Sequence, residues 1–413
     1  MALGGGGEGG RRGLTVAAAG RLDALLAERT EANRAFFEAR AEEVARCCHR
    51  MAERFARGGR LVALGLSPAA RSDVRHVAVE FVHPVIVGKR ALPAIGLSRE
   101  GGALTAQLDL IAEPDDIVIA FGTDEEGADE TVEALGMARR RGCQTIAFAE
   151  CGAEWEFEPP AEDPFVRQEL AETLYHVLWE LVHIFFEHRG LLEGREAGPV
   201  HDTGASSFLY PFLSEGETGL DEVIEDVRSN VLMKAEEVGG LRESTINGSR
   251  EELLAAAADL RSLFDRGGKA LVFGNGGSAT DSMDLVADLR AAPQGWPARA
   301  ALDLTEDPSI LTAIANDIGT EAIFLRQVIA YARQGDAAIA ISTSGNSVNL
   351  IEALAEARRR ELVTLAFVGY DGGRIASEGL ADHVIVTPSQ HIPRIQEAQA
   401  SAYHALRELI ELR

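Results

Sequence analysis

Two tandem α/β domains, each a parallel sheet flanked by helices with a long helix before its first strand, are predicted by three observations. Two glycine- and serine-rich runs, GNGGS at 274–278 and STSGNS at 342–347, each follow a short apolar run and lead straight into a helical pattern. A strand–turn–helix–strand block occurs once in each half of the chain. Long helical patterns, Glu31 to Phe55 and Leu220 to Phe264, the latter interrupted near Asn247-Gly248, precede the first strand of each half.

Ala270 to Phe273 and Ala337 to Ile341 are continuous apolar runs of strand length, the pattern of parallel strands covered on both faces. Turns at the carboxyl ends of such strands bring backbone N–H groups and small hydroxyls to a helix amino terminus, which suits a phosphate. Neither turn is a Walker A loop, because the GxxxxGK[ST] lysine is missing, and neither has GxGxxG spacing, so nucleotide binding is disfavoured. The chain is expected to bind a phosphorylated small molecule.

The internal repeat sets the domain boundaries. DDIVIAFGTDEEGADETVEALGMARRRGCQTIAF (Asp115 to Phe148) matches GDAAIAISTSGNSVNLIEALAEARRRELVTLAF (Gly335 to Phe367) with one residue of offset, and GGRLVALG matches GGKALVFG. Near the ends, RQELAETLYHVLWEL parallels IQEAQASAYHALREL, so that Gln168 and His176 are spaced as Gln396 and His404 are. Residues 1–30 read as a flexible tail and the start of the first helix, 33–189 as the first domain, 190–219 as a linker and 220–413 as the second domain. The linker is rich in Gly, Ser, Pro and Glu, and its aromatic cluster Phe208, Tyr210 and Phe212 is expected to dock on a domain surface. The long helices are expected to pack as an inter-domain or inter-subunit bundle.

Composition narrows the function. At 413 residues the chain has room for two domains, and a formal charge of −25 argues against a nucleic-acid surface. Apolar stretches are of strand length or amphipathic, so no membrane span is expected, and MALGGGGEGGRRG lacks the apolar region of a signal peptide; a cytoplasmic location follows as an expectation. Cys47, Cys48, Cys143 and Cys151 form no CxxC and are read as reduced and structural.

GNGGSATDSMDLVADL, the Asn316-Asp317 pair in AIANDIG, STSGNS and RIQEAQASAYH together resemble the SIS (sugar isomerase) family over about Val223 to Arg413, and within it the phosphoheptose isomerases. The resemblance implies that both tandem SIS domains have flavodoxin-like parallel sheets flanked by helices, and that the chain is an aldose–ketose isomerase acting on sedoheptulose 7-phosphate. It also implies a divalent metal, zinc or similar, held by a His and a Glu four residues on from the first helix and by a Gln and a His eight residues apart on the last. In the first repeat those positions are His76, Glu80, Gln168 and His176; in the second they are Asp284, Asp288, Gln396 and His404. Further departures from the family pattern are Pro393 in place of an Asp and Ala292 in place of an Arg.

On this resemblance, Asp288 or Glu80 is the base and His404 or His176 the partner acid in a proton transfer between C1 and C2 through a cis-enediol. Ser278, Ser342, Thr343, Ser344 and Ser347, with Gly276 and Gly277, anchor the 7-phosphate, while Asn275, Asn316, Asp317 and Gln396 orient the sugar. The first repeat has Gly122-Thr123-Asp124-Glu125-Glu126-Gly127 where the second has STSGNS, and its like charges would repel phosphate. Replacing Glu by Asp at 288 shortens the reach by about 1.5 Å. Residues eight apart lie about 12 Å apart along a helix and point about 80° apart, so the Gln and His of one helix are ill placed to share one ion. Ligands are therefore expected to converge from neighbouring copies, with a composite site joining the first repeat's metal groups to the second repeat's phosphate turns. His183, His188 and His383 are read as core or interface residues. The alternatives are a non-catalytic sugar-phosphate sensor, an assembly or accessory protein, and an isomerase of another sugar phosphate. Related isomerases being tetramers of single domains, the tandem chain is expected to form a homodimer with four SIS units.

Overall fold

The computed structural model describes residues 7–85, 89–98, 101–125, 127–187, 219–291 and 295–412, and the side chains among them from residue 17 onward. The linker with Phe208, Tyr210 and Phe212, and also Glu126, His188 and Ala292, lie outside the described residues. The chain divides into two compact units. One, here the first-repeat unit, comprises Ala32–Asp163 and Arg167–Glu236; the other, the second-repeat unit, comprises Met1–Glu31, Pro164–Val166 and Glu237–Arg413.

The first-repeat unit takes in the later part of helix α1 (Gly7–Ala56), then β1 (Leu61–Leu64), α2 (Pro68–Val82), β2 (Ala94–Leu97), α3 (Leu104–Ile111), β3 (Ile117–Ala120), α4 (Ala128–Arg140), β4 (Gln144–Ala147), β5 (Trp155–Glu156), most of α5 (Pro164–Glu187) and the first part of α6 (Leu220–Gly248). Its sheet has the order β2-β1-β3-β4-β5, and every pair is parallel. Val62, Leu64, Val118 and Ala120 pack with Leu104, Leu108, Leu135 and Ala138 of α3 and α4.

The second-repeat unit contains α7 (Arg250–Asp265), β6 (Ala270–Gly274), α8 (Gly277–Arg290), β7 (Ala301–Asp303), α9 (Pro308–Asp317), α10 (Ile323–Tyr331), β8 (Ala337–Ser342), α11 (Val348–Arg359), β9 (Val363–Gly369), α12 (Gly373–Ser377), β10 (His383–Thr387) and α13 (Ile392–Glu411). The sheet order is β10-β9-β8-β6-β7, again all parallel, and it reproduces the order of the first. Alternate strand residues serve opposite faces. Ala270, Val272, Ile339, Ile341 and Phe367 join a core with α7, α8 and α13, whereas Leu271, Phe273, Ala340 and Val368 join one with α10 and α11. Both faces are covered, which is why these strands read as unbroken apolar runs.

The repeat extends to single hydrogen bonds. Asp116 Oδ1 accepts from the backbone N–H of Arg60 at 2.9 Å, and its Oδ2 from that of Glu113 at 2.9 Å. Asp336 does the same with Lys269 at 3.0 Å and Arg333 at 2.8 Å. Each aspartate also pairs with the basic side chain at the start of the neighbouring strand, Arg60 or Lys269.

Two expectations change. From Gly7 onward the start of the chain is helical rather than a tail, and Leu22, Leu25 and Leu26, spaced as one helical face, are buried in the core formed with α7 and α13. Each unit thus includes a helical segment from the other half of the sequence: the start of α1 belongs to the second-repeat unit and the start of α6 to the first-repeat unit. Among the described residues no helix is long and apolar enough to cross a membrane. The four cysteines are free, and Cys47, Cys48 and Cys143 are buried.

Gly274 ends β6 where the chain turns back over it. A Cβ there would lie 2.2 Å from the Ser278 carbonyl oxygen and 2.9 Å from that of Ile341. Gly274→Ala is expected to cost about 1–3 kcal/mol by forced backbone displacement, read as a lower urea midpoint; an unchanged midpoint contradicts the close approach.

Candidate functional site

In the second-repeat unit β6 and β8 are adjacent, and the sheet grows outward from them in opposite directions, to β7 on one side and to β9 and β10 on the other. The turns after these two strands therefore flank the point where strand order reverses, the usual ligand crevice of a doubly wound sheet. The turn after β6 enters α8 through Gly276, at φ 58°, with no side-chain cap. The turn after β8 enters α11 through Ser347, likewise without a side-chain cap. Neither helix has an acidic residue in its first turn. The first N–H groups of both helices and the turn hydroxyls form a field suited to an anion.

The second turn is held in shape by its own side chains. The Ser342 hydroxyl accepts from the N–H of Gly345 at 3.0 Å, and Ser344 Oγ from that of Asn346 at 3.2 Å. Gly345 has φ 63°, and a Cβ there would meet the Gly372 carbonyl oxygen at 2.2 Å, so glycine is required. Gln399 of α13 donates to the Ser342 carbonyl at 3.1 Å. Ser278 and Ser342 are buried, Thr343, Ser344 and Ser347 half-buried, and Asn275 and Gly276 exposed.

Below the first turn, α8 and α13 bring Asp284, Asp288 and His404 together, all buried, with one ligand atom from each within 4.8 Å of the others. His404 Nε2 lies 3.2 Å from Asp284 Oδ2 and 3.3 Å from Asp288 Oδ2. The Tyr403 hydroxyl donates to Asp284 Oδ2 at 2.8 Å. Arg407 Nε donates to the Asp288 carbonyl at 3.0 Å, with its guanidinium 5.1 Å from the Trp296 ring. Phe165, which belongs to this unit, stacks on the His404 imidazole at 4.7 Å between centroids. Burial, with the neighbouring Asp284 charge next, raises the Asp288 carboxyl to about 7, against the pull of His404. The shorter side chain at 288 does reach the imidazole.

In the first-repeat unit α2 and α5 bring together His76, Glu80 and His176, also buried and within the same 4.8 Å limit. The two Nε2 atoms are 3.3 Å apart, and Glu80 Oε1 is 3.9 Å from His76 Nε2. Glu172 Oε1 stands 3.9 Å from His76 Nδ1. Burial, then the neighbouring His176, depresses the His76 pKa well below the usual imidazole value, so the ring is neutral at pH 7 and its lone pair available.

The turn that matches STSGNS behaves differently here. α2 is capped by Ser67, whose Oγ accepts from the N–H of Ala70 at 3.0 Å while its hydroxyl donates to Glu125 Oε2. α4 begins with Asp129 and Glu130, and the latter accepts from the N–H of Leu104 at 2.8 Å. The α2 terminus is thus capped by a serine that a carboxylate holds, and α4, which has no side-chain cap, carries two acids in its first turn.

Several predicted residues fall elsewhere. Gln168 donates to Ser72 Oγ at 3.4 Å. Gln396 is buried on α13. Asn316 and Asp317 are exposed at the end of α9 and bond to each other at 2.8 Å. Pro393 occupies the first turn of α13, where a missing N–H costs nothing. His183 sits between the carbonyls of Trp179 and Arg90, and His383 between Glu252 and Asp259. Each unit brings three candidate ligands, one histidine of the last helix among them, together by itself. Sequence reasoning missed Tyr403, although the Tyr-His pair recurs as Tyr175-His176, with the Tyr175 hydroxyl 3.4 Å from Asp73. It also missed Asn349, which bonds to Asn275.

Comparisons with known proteins agree with this geometry. Residues 235–369 match the SIS domain family. A phosphoheptose isomerase of Chlorobaculum tepidum is 39% identical over 202 residues, covering 48% of this chain and 94% of that protein. One from Paramagnetospirillum magneticum is 49% identical over 146 residues, covering 35% and 75%. The C-terminal domain of glucosamine-fructose-6-phosphate aminotransferase from Francisella tularensis matches 94% of this chain and 93% of its own length with a TM-score of 0.57, at 8% identity, a likeness of fold alone. With two sheets of one strand order, paired turns at the switch point and a relative matched over nearly its whole length, the chain belongs to the SIS-domain family, on its phosphoheptose isomerase branch.

Proposed function

We propose that the chain is a sugar-phosphate isomerase that converts sedoheptulose 7-phosphate to the corresponding aldoheptose 7-phosphate, with turnover in the second-repeat unit. The observation that carries this reading is that α8 has an uncapped amino terminus at one end and the Asp284, Asp288 and His404 cluster further along. From Ser278 to Asp284 the helix rises about 9 Å, which suits a ligand with an anionic tail and a reacting carbonyl some carbons away. Phosphate binding at the turns positions the reacting carbons and makes proton transfer effectively intramolecular.

Asp288 is the base and His404 the partner acid. A carboxyl raised to about 7 takes a carbon-bound proton more readily than an ordinary carboxylate and is matched to neutral pH. The Tyr403 hydroxyl holds Asp284 in place, and Asp284 in turn holds the imidazole. Stacking with Phe165 and full burial of His404 restrict water. In the first-repeat unit Glu80 and His176 offer an equivalent pair, but the Glu125 carboxylate stands where the phosphate would be held.

The His76, Glu80 and His176 donor set, two imidazoles and a carboxylate with His76 neutral, fits zinc. We assign the divalent metal to this cluster rather than to the two aspartates and one histidine of the other. When bound, such an ion supplies Lewis-acid polarisation and positive charge. The chain further pairs as a homodimer, which gives four SIS units.

Incubation with sedoheptulose 7-phosphate, followed by NMR, is expected to show the aldose phosphate. Asp288→Asn should lower kcat by about 10²-fold or more with affinity retained, and Ser344→Ala should weaken affinity. Binding without turnover by the wild type replaces this reading with the sugar-phosphate sensor. Elemental analysis after zinc loading should find one ion per chain, lost in His76→Ala and kept in Asp284→Asn; the reverse pattern moves the metal to the other unit. Light scattering should give twice the chain mass of 44.2 kDa, and a mass equal to one chain contradicts the dimer.

A further inference from the structure

The two anion-facing turns of the second-repeat unit are joined by one pair of side chains. Asn275, on the turn after β6, donates from Nδ2 to Asn349 Oδ1 at 3.0 Å. Asn349, in the first turn of α11, returns the bond from its Nδ2 to Asn275 Oδ1 at 2.9 Å. Asn349 Oδ1 also accepts from the N–H of Leu350 at 3.1 Å, which ties this carboxamide to the helix terminus. The pairing links residues 74 positions apart in sequence across the switch point of the sheet.

A carboxamide has two N–H donors and two acceptor lone pairs. The reciprocal pair uses one of each on Asn275. The remaining N–H and lone pair belong to an exposed side chain at the rim of the crevice. One donor and one acceptor at fixed spacing are complementary to two neighbouring hydroxyls of a sugar chain, each of which both donates and accepts. A free phosphate dianion has no such chain and is held by the turn N–H groups and hydroxyls alone.

We infer that Asn349 is a positioning residue of the sugar-phosphate site, acting through Asn275: it fixes the Asn275 carboxamide for the sugar hydroxyls. The inference rests on the reading of this unit as a sugar-phosphate site. Without Asn349 the Asn275 side chain rotates freely, and ordering it must be offset from the binding energy of the sugar. The phosphate cradle, built from backbone and serine hydroxyls, is left unchanged.

The test is calorimetric titration of the full chain with sedoheptulose 7-phosphate and, separately, with inorganic phosphate, for the wild type, Asn349→Ala, Asn275→Ala and the double variant, with melting curves to confirm folding. Asn349→Ala should weaken sugar-phosphate binding roughly three- to tenfold and leave inorganic phosphate affinity within about twofold. In the Asn275→Ala background the same substitution should add almost nothing, since the two side chains act as one unit. Additive losses, an equal loss for both ligands, or no loss at all in Asn349→Ala overturn the inference while the wild type's own binding upholds the function. A wild type that binds inorganic phosphate but not the sugar phosphate refutes both.

Discussion

An α-helix that follows directly from a parallel strand presents N–H groups with no partner in the helix, and the chain must either answer them with its own side chains or leave them for a ligand. The two units of this protein make opposite choices on the same fold. At α8 and α11 there is no side-chain cap and no acid in the first turn. α2 is instead capped by Ser67, itself bonded to Glu125, and α4, although it has no side-chain cap, carries Asp129 and Glu130 in its first turn. Because the whole chain has a formal charge of −25, long-range attraction cannot gather a phosphate. Capture depends on the local field of the turns.

The buried clusters follow from the same economy of charge. Two aspartates beside one histidine cannot all keep full charges in a buried place, and the structure resolves this with a hydroxyl from Tyr403 on Asp284 and a raised pKa on Asp288. In the other unit the conflict is between two imidazoles, and burial leaves His76 neutral. The first arrangement favours holding and moving a proton, and the second favours donating lone pairs. A duplicated domain has in this way diverged at three pairs of positions, 76 and 284, 80 and 288, and 125 and 345, while its sheet order stayed the same.

Much of this was legible in the sequence. Continuous apolar strands, the glycine turns and the repeat gave two parallel sheets, and the alignment of the Tyr-His helices located His176 and His404 opposite the α2 and α8 positions. What the sequence concealed is contact at a distance. Helical periodicity cannot say that Leu22, Leu25 and Leu26 are buried in the core of the unit at the far end of the chain, since an amphipathic face is silent about its partner. The spacing of the histidines and carboxylates was visible, but only the fold shows which of them come within 4.8 Å of one another. The Asn275–Asn349 pair escaped for a similar reason, as each asparagine taken alone is an ordinary turn residue.

On the proposed function, the capacity to hold a phosphate belongs to the second-repeat unit and is opposed in the other by the carboxylates around its turns. Backbone amide NMR during a titration with inorganic phosphate tests it most directly. Saturable shifts at Gly277, Ser278, Gly345 and Val348, with none at Ala69, Ala70 and Ala128, are the predicted result. Shifts at the α2 and α4 termini, or none at those of α8 and α11, would contradict it.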